Sequence, residues 1–171
     1  MLSGLLAFSL TGVNVQAQDT VLRVGTDATI PPLEFVENDK RTGFDVELLE
    51  AMAKAKGKRV EWVDIDFKGL IPGLVAKRFD VAVSAIYITD ERKKVVDFTD
   101  PFFVGGLVAM TKDGNSAIKT LADLDGKKVT VQVDTQSVSY LQQTVPKVQL
   151  VEVEKIRRCS TSSRLVAPTR L

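Results

Sequence analysis

The apolar residues of the chain fall into short runs separated by polar punctuation, and their spacing switches between two periods. Val21 to Gly25 is a compact apolar strand. Gly43-Phe44-Asp45-Val46-Glu47-Leu48-Leu49 opens a helix in which Phe44, Leu48 and Met52 recur every four residues until Gly57 stops it. Val60 to Val63 is the next strand. Leu70, Ile71, Leu74 and Val75 predict a second amphipathic helix with Pro72 in its first turn, and Val81 to Ala85 a third strand. Phe102 to Met110 is a further extended run. A new unit begins at Leu121 to Asp125, with strands near Lys128 to Val133 and Val148 to Val153 flanking a helix around Ser137 to Gln143. No internal repeat or low-complexity linker interrupts the series.

This β-α-β-α-β order predicts an α/β fold with a parallel sheet covered by helices. In such sheets ligands bind at the carboxyl ends of the strands, because the helix N-termini and loops converge there. Asp27 follows the first strand and Ser84 ends the third, so both stand at a candidate site.

The two ends of the chain depart from the pattern. Residues 1–17, MLSGLLAFSLTGVNVQA, carry no charge and gather Leu2, Leu5, Leu6, Phe8 and Leu10 in a run too short to span a bilayer. Val15-x-Ala17 ahead of Gln18 and Asp19 resembles a small-residue cleavage site, so a secretory signal peptide is expected, although the Lys or Arg of a usual n-region is missing. A buried N-terminal helix is the alternative. No cysteine stands near the cleavage site to take a lipid anchor. Residues 155–171 hold Lys155, Arg157, Arg158, Arg164 and Arg170, no acid, the lone Cys159, and neither periodicity.

Composition narrows the chemistry. The 171 residues include 23 Lys plus Arg against 22 Asp plus Glu, no histidine and one cysteine, with 44% apolar and 26% charged residues. That is the make-up of a globular domain. Zinc enzymes and histidine-dependent triads drop out, as does an internal disulfide. The balanced charge argues against a nucleic-acid partner. All the acids lie within residues 18–154, a body of net charge −4 once the basic tail is set aside.

The stretch Ser84-Ala85-Ile86-Tyr87-Ile88-Thr89-Asp90-Glu91-Arg92-Lys93-Lys94 is the most informative. Thr89 suits an N-cap, and Asp90 and Glu91 suit the first turn of a helix, where they oppose the positive end of its dipole. Arg92 in that same turn has a planar fork suited to a carboxylate. The chemistry alone favours Arg92 as a surface residue pairing Asp90 or Glu91.

DVAVSAIYITDERKKVVDFTDPFF at 80–103, with GFDVELLEAMAKAKG at 43–57 and DFKGLIPGLVAKRFD at 66–80, resembles the family 3 extracellular solute-binding proteins, the polar amino-acid binders of ABC importers. The resemblance covers roughly residues 20–154. It implies a type II periplasmic-binding-protein-like two-lobed clamshell, incomplete at its C-terminus. The expected divisions are residues 18–106 for the N-terminal part of lobe one and 107–154 for a partial lobe two. It further implies a monomer in the periplasm that binds an amino acid and hands it to a membrane permease, with no cofactor, metal or catalytic residue.

By the same resemblance, Asp27 matches the acidic position that contacts the ligand's polar side-chain end, a turn or capping role being the alternative. Ile30 and Phe67 match the two walls over the ligand. Ser84 and Ala85 match the strand-end segment that accepts from the α-ammonium, and Arg92 the arginine that clamps the α-carboxylate. In lobe two, Thr135 would cap that carboxylate and Gln132 would reach toward the side chain. Three departures stand out. Tyr87 occupies a position usually Ser or Thr, so its phenol is expected in the cleft or against the ligand's amino group. Asp134 replaces a glycine. Beyond Val153 the family's Gly-Arg-x-Asp-Ala segment is missing, and back-translation of residues 158–170 in a shifted frame yields Ala-Met-Phe-Asn-Leu-Val-Glu-Thr-Gly-Arg-Ala-Asp-Ala. A frameshifted tail is therefore expected, against a natural short variant, with exposed apolar faces, impaired binding and a tendency to misfold as consequences. An enzyme of cyclohexadienyl-dehydratase type on the same fold is the alternative function, with Asp27, Glu34 or Asp134 as its candidate acids. A receptor sensor module is disfavoured because no transmembrane helix follows.

Overall fold

The computed structural model describes residues 20–155. The expected signal peptide lies outside the described residues, as does all of the basic tail but Lys155. Two parallel sheets organise the chain. In the first, β1 (Val21–Thr26) runs between β5 (Arg59–Asp64) and β6 (Val81–Ala82), with Val21 opposite Arg59 and Val24 opposite Val81. In the second, β7 (Lys128–Gln132) pairs with β8 (Gln149–Val153). Crossover helices join the strands as the alternating periodicity predicts. They are α1 (Phe44–Ala55) from β1 toward β5, α2 (Leu70–Val75) from β5 to β6, and α4 (Gln136–Thr144) from β7 to β8, with the short α3 (Asp90–Lys93) after β6.

Each sheet has its own core. Phe67, Leu70 and Phe79 are buried against Val63, Ile65, Leu74, Ala82 and Ile86 beside the first. Leu124, Val131, Leu141 and Val145 are buried against Ile118, Val129, Val138, Val148 and Leu150 beside the second. Phe79 is wedged between β1 and α2. A β-carbon on Gly25 would stand 2.6 Å from its ring and one on Gly73 2.7 Å, so glycine at both positions is what lets the ring in.

Four features differ from the sequence expectation. A small antiparallel sheet, β2 (Thr29–Ile30), β3 (Glu34–Glu37) and β4 (Lys40–Thr42), intervenes before α1. Its strands are too short to show a period, and the β3–β4 hairpin turns on Asn38 and Asp39, both at positive φ (49° and 58°), which these side chains tolerate. The buried face of α1 is not Phe44, Leu48 and Met52. Phe44 and Met52 are exposed, Leu48 is half-buried, and Val46 and Ala53 are buried instead. Both stripes have helical spacing. The helix start is fixed by Phe44 N–H and Asp45 N–H donating to the carbonyls of Pro32 and Leu33, which turns Asp45 and Val46 inward. Third, β6 stops at Ala82, because Ser84 and Ala85 leave the ladder and Ala85 takes φ 45°. Finally, Phe102 to Met110 is irregular, since no strand among the described residues pairs with it. No helix among the described residues is long and apolar enough to cross a membrane.

Candidate ligand-binding site

The carboxyl ends of the two parallel sheets face each other. Asp27 follows β1, Asp66 and Phe67 follow β5, and Ser84 follows β6. From the other sheet Gln132 ends β7, Thr135 stands just ahead of α4 without a side-chain cap bond to it, and Glu154 and Lys155 follow β8. Hydrogen bonds cross between the ends: Gln132 Nε2 donates to Asp27 Oδ2 at 2.8 Å, and Lys68 pairs with Glu154 at 2.7 Å.

Asp27 is the centre of the arrangement and is 2% exposed. Its Oδ2 accepts from Phe67 N–H at 3.1 Å as well as from Gln132, and its Oδ1 meets Lys155 Nζ at 3.0 Å. The carboxylate thus holds the turn at Phe67, as the capping alternative expects, and borders the cleft. Ser84 Oγ accepts from Asp27 N–H at 3.1 Å and sets its single proton between the Asp27 carbonyl at 3.2 Å and Glu34 Oε1 at 3.1 Å. That hydroxyl ties β1 to β6 inside the protein. Ala85 N–H points to Asp45 Oδ2 at 3.5 Å, and Ile30 lies half-buried on β2, opposite Glu34.

Around Arg92 the cap forms as expected, with Thr89 Oγ1 accepting from Arg92 N–H at 3.2 Å. The guanidinium does not pair with Asp90 or Glu91. It donates to the carbonyls of Tyr87 at 2.8 Å and Asp134 at 2.9 Å and lies 5.6 Å from the centre of the Phe67 ring, a cation–π separation. Burial lowers its pKa and the Asp134 charge works the other way; a guanidinium stays charged throughout. The Thr135 hydroxyl donates to the Gln132 carbonyl at 2.8 Å. Asp134 takes φ 60°, the left-handed conformation a glycine favours. The Tyr87 phenol oxygen stands 3.7 Å from where a β-carbon on Gly105 would be.

Phe67 links two poles. Its N–H reaches the acidic end at Asp27 and its ring underlies the basic end at Arg92, beside the start of α4. Such a pair of poles suits a ligand that carries a carboxylate and a donor-bearing polar end. An open cleft of about 340 Å³ adjoins the acidic pole, lined by Asp27, Ala28, Val36, Asp64, Ile65 and Lys155 among others; it shares Asp27 with the cluster but not Phe67 or Arg92.

Two groups, Asp66 and Lys155, were missed from sequence, and Glu34 was named only among the candidate acids of the enzyme alternative. Asp66 could have been found, since the rule that picks Asp27 after β1 applies equally to the end of β5. Lys155 sits in the stretch read as tail. Glu34 is 0% exposed, and burial, with Asp45 beside it, pushes its carboxyl up to about 9, so it is neutral at pH 7. No local sequence signal marks its burial, because its partner Ser84 lies 50 positions further along the chain. Among the described residues no group of His, Cys, Asp and Glu is arranged to hold a metal ion.

Residues 22–163 match the bacterial extracellular solute-binding proteins, family 3, a span that runs past residue 154, where the motif resemblance stops. A probable histidine-binding protein of Campylobacter jejuni is 40% identical over 67% of this chain and 44% of its own length. The L-cystine-binding protein of Escherichia coli K12 is 40% identical over 77% of this chain and 50% of its own. The chain thus spans about half the length of the curated relatives it matches. Among solved structures, an ancestral arginine-binding protein bound to glutamine superimposes with a TM-score of 0.80 and 40% identity, covering 83% of this chain and 64% of that one. An ancestral amino-acid-binding protein, a precursor of cyclohexadienyl dehydratase, gives 0.79 and 36%, covering 84% and 68%. In sequence and in fold alike, the chain belongs to the family 3 bacterial extracellular solute-binding proteins and holds part of their two-lobed α/β clamshell.

Proposed function

We propose that this chain carries the cleft of an exported amino-acid-binding protein that serves an ABC importer. Export would follow from the apolar segment at residues 1–17, and the loaded protein would act as a monomer docking on a membrane permease. The observation that supports the reading is the pair of poles joined by Phe67. Arg92 beside the α4 N-terminus would take the α-carboxylate, and Asp27 with Gln132 would take the polar end of the side chain. Ile30, Ala85, Tyr87 and Thr135 would complete the walls, while Ser84, 1% exposed with its hydroxyl already engaged, would hold Asp27 in place rather than accept from the α-ammonium.

Relatives described as binding histidine, cystine, arginine or glutamine support a polar amino acid as the ligand. Catalysis of the dehydratase kind wants an acid in reach of the substrate. Glu34 is neutral at pH 7, yet it has no accessible surface, so binding without turnover is the better reading. Calorimetry of the chain against the common amino acids, with prephenate turnover assayed in parallel, tests it. The expected result is heat with a polar amino acid, weakened roughly a hundredfold by Arg92→Met through loss of the charge-assisted fork. Turnover with no amino-acid binding would overturn the proposal.

A further inference from the structure

The acidic pole is occupied by the chain itself. Lys155 Nζ lies 3.0 Å from Asp27 Oδ1 and 2.6 Å from Asp66 Oδ1, bridging the two carboxylates. Burial works against the ammonium, and the hydrogen bonds to Asp66 and Asp27 outweigh it, so its pKa rises. Asp66 is held below the usual carboxylate range, mainly by its hydrogen bond from Lys155.

We propose that Asp27 and Asp66 form a seat for an organic cation, and that Lys155 is a tethered competitor for it, lowering affinity for ligands with a guanidinium or ammonium side chain relative to neutral polar ones. The inference rests on the amino-acid-binding reading and adds a residue that sets selectivity within it.

Three observations carry it. The Asp27 side chain is 1% exposed, whereas those of Lys155 and Asp66 are 40% and 45% exposed. A buried carboxylate left without a counter-charge is costly, so one cation or another must sit on it. The half-exposed lysine is the exchangeable partner. Next, Asp27 Oδ2 is already committed to Phe67 N–H and Gln132 Nε2, which leaves Oδ1, the atom Lys155 holds, as the one a ligand cation would contest. Gln132 Oε1, on the same amide, is buried without a partner and offers a further acceptor to a group with several donors. Lastly, the base of the Lys155 side chain is fixed. The Glu154 carbonyl accepts from Gln132 at 2.9 Å, and the Glu154 carboxylate pairs with Lys68 at 2.7 Å. The ammonium therefore reaches the seat from an anchored backbone and competes at a high effective concentration. A ligand with a neutral amide end brings no charge to displace the ammonium from Oδ1 and leaves the lysine in place.

Calorimetry with L-arginine and L-glutamine on the 171-residue chain, Lys155→Met and Lys155→Arg tests the idea. Lys155→Met should bind arginine about five- to tenfold more tightly, with glutamine changed by less than about twofold, and Lys155→Arg should behave as the parent. An arginine affinity that stays put or falls in Lys155→Met, or equal gains for both ligands, overturns the proposal alone. Silence with both ligands in every variant overturns the amino-acid reading and this proposal with it. In the unsubstituted chain, arginine should shift the ¹⁵Nζ resonance of Lys155 toward that of a solvated lysine and glutamine should not; an unmoved signal in arginine-bound protein overturns the proposal without any substitution.

Discussion

Glu34 ties folding stability to pH. Its carboxyl, with no accessible surface and with Asp45 and Ser84 around it, keeps its proton up to about pH 9 in the folded chain, against a usual value of 4.5. Below about pH 4.5 the folded and unfolded chains both hold this proton. Between about 4.5 and 9 the unfolded chain has released it and the folded one has not, so stability falls as pH rises, by up to about 1.4 kcal/mol per unit. The sequence contains no histidine, which leaves the window from about pH 5.5 to 7.5 clear of ordinary side-chain titrations. Urea unfolding across that window should lose midpoint steadily in the parent chain and stay flat in Glu34→Gln, and equal slopes would mean that Glu34 is ionised in the folded state. Residues such as this explain what the sequence left unread. The places of Asp27 at a strand end and Arg92 in a helix's first turn were legible locally, whereas the role expected of Arg92 came from the family resemblance. Glu34 and Lys155 owe their environments to partners 50 and 128 positions away in the chain, and no local pattern encodes that.

The long elements were legible for a different reason, namely that their apolar spacing repeats often enough to fix a period. β1, β5, α4, β7 and β8 lie within a residue or so of their expected ranges. The antiparallel β2–β4 ribbon and the rotated face of α1 were not, since strands of two to four residues have no period, and α1 carries two apolar stripes that both fit a helical period. What chooses between the stripes is the grip of the Pro32 and Leu33 carbonyls on the first turn, a tertiary contact. The packing of β1 against α2 is likewise tertiary, and it makes a sharp demand. Phe79 is 1% exposed and occupies the space where β-carbons on Gly25 and Gly73 would stand. Gly25→Ala should therefore force the ring from its site and cost about 1–3 kcal/mol, read as a lower urea midpoint at unchanged slope. A loss below about 0.5 kcal/mol would show that the ring moves aside without strain.

At the scale of the whole, the described residues combine two well-formed cores with an apolar face that neither core covers. The cores are joined across the cleft by polar contacts, Gln132 to Asp27, Arg92 to the Asp134 carbonyl and Lys68 to Glu154. On the outside, the Phe44 ring lies 6.2 Å from that of Phe102 and 6.3 Å from that of Phe103, and all three are about half exposed. Val104 at 95% and Val108 at 63% exposure follow Phe103 on the irregular segment. Contiguous apolar surface of this kind binds amphiphilic dyes, whereas isolated exposed side chains do not. The folded chain should accordingly enhance anilinonaphthalene sulfonate fluorescence under native conditions. Replacing Phe103 and Val104 by Ser should cut that signal several-fold while changing stability by less than about 0.5 kcal/mol, because exposed side chains contribute little burial to the folded state. Dye fluorescence and urea midpoints measured on the same samples separate the outcomes: undiminished fluorescence accompanied by a large loss of stability would mean that these side chains are packed within the fold, and that the dye binds elsewhere.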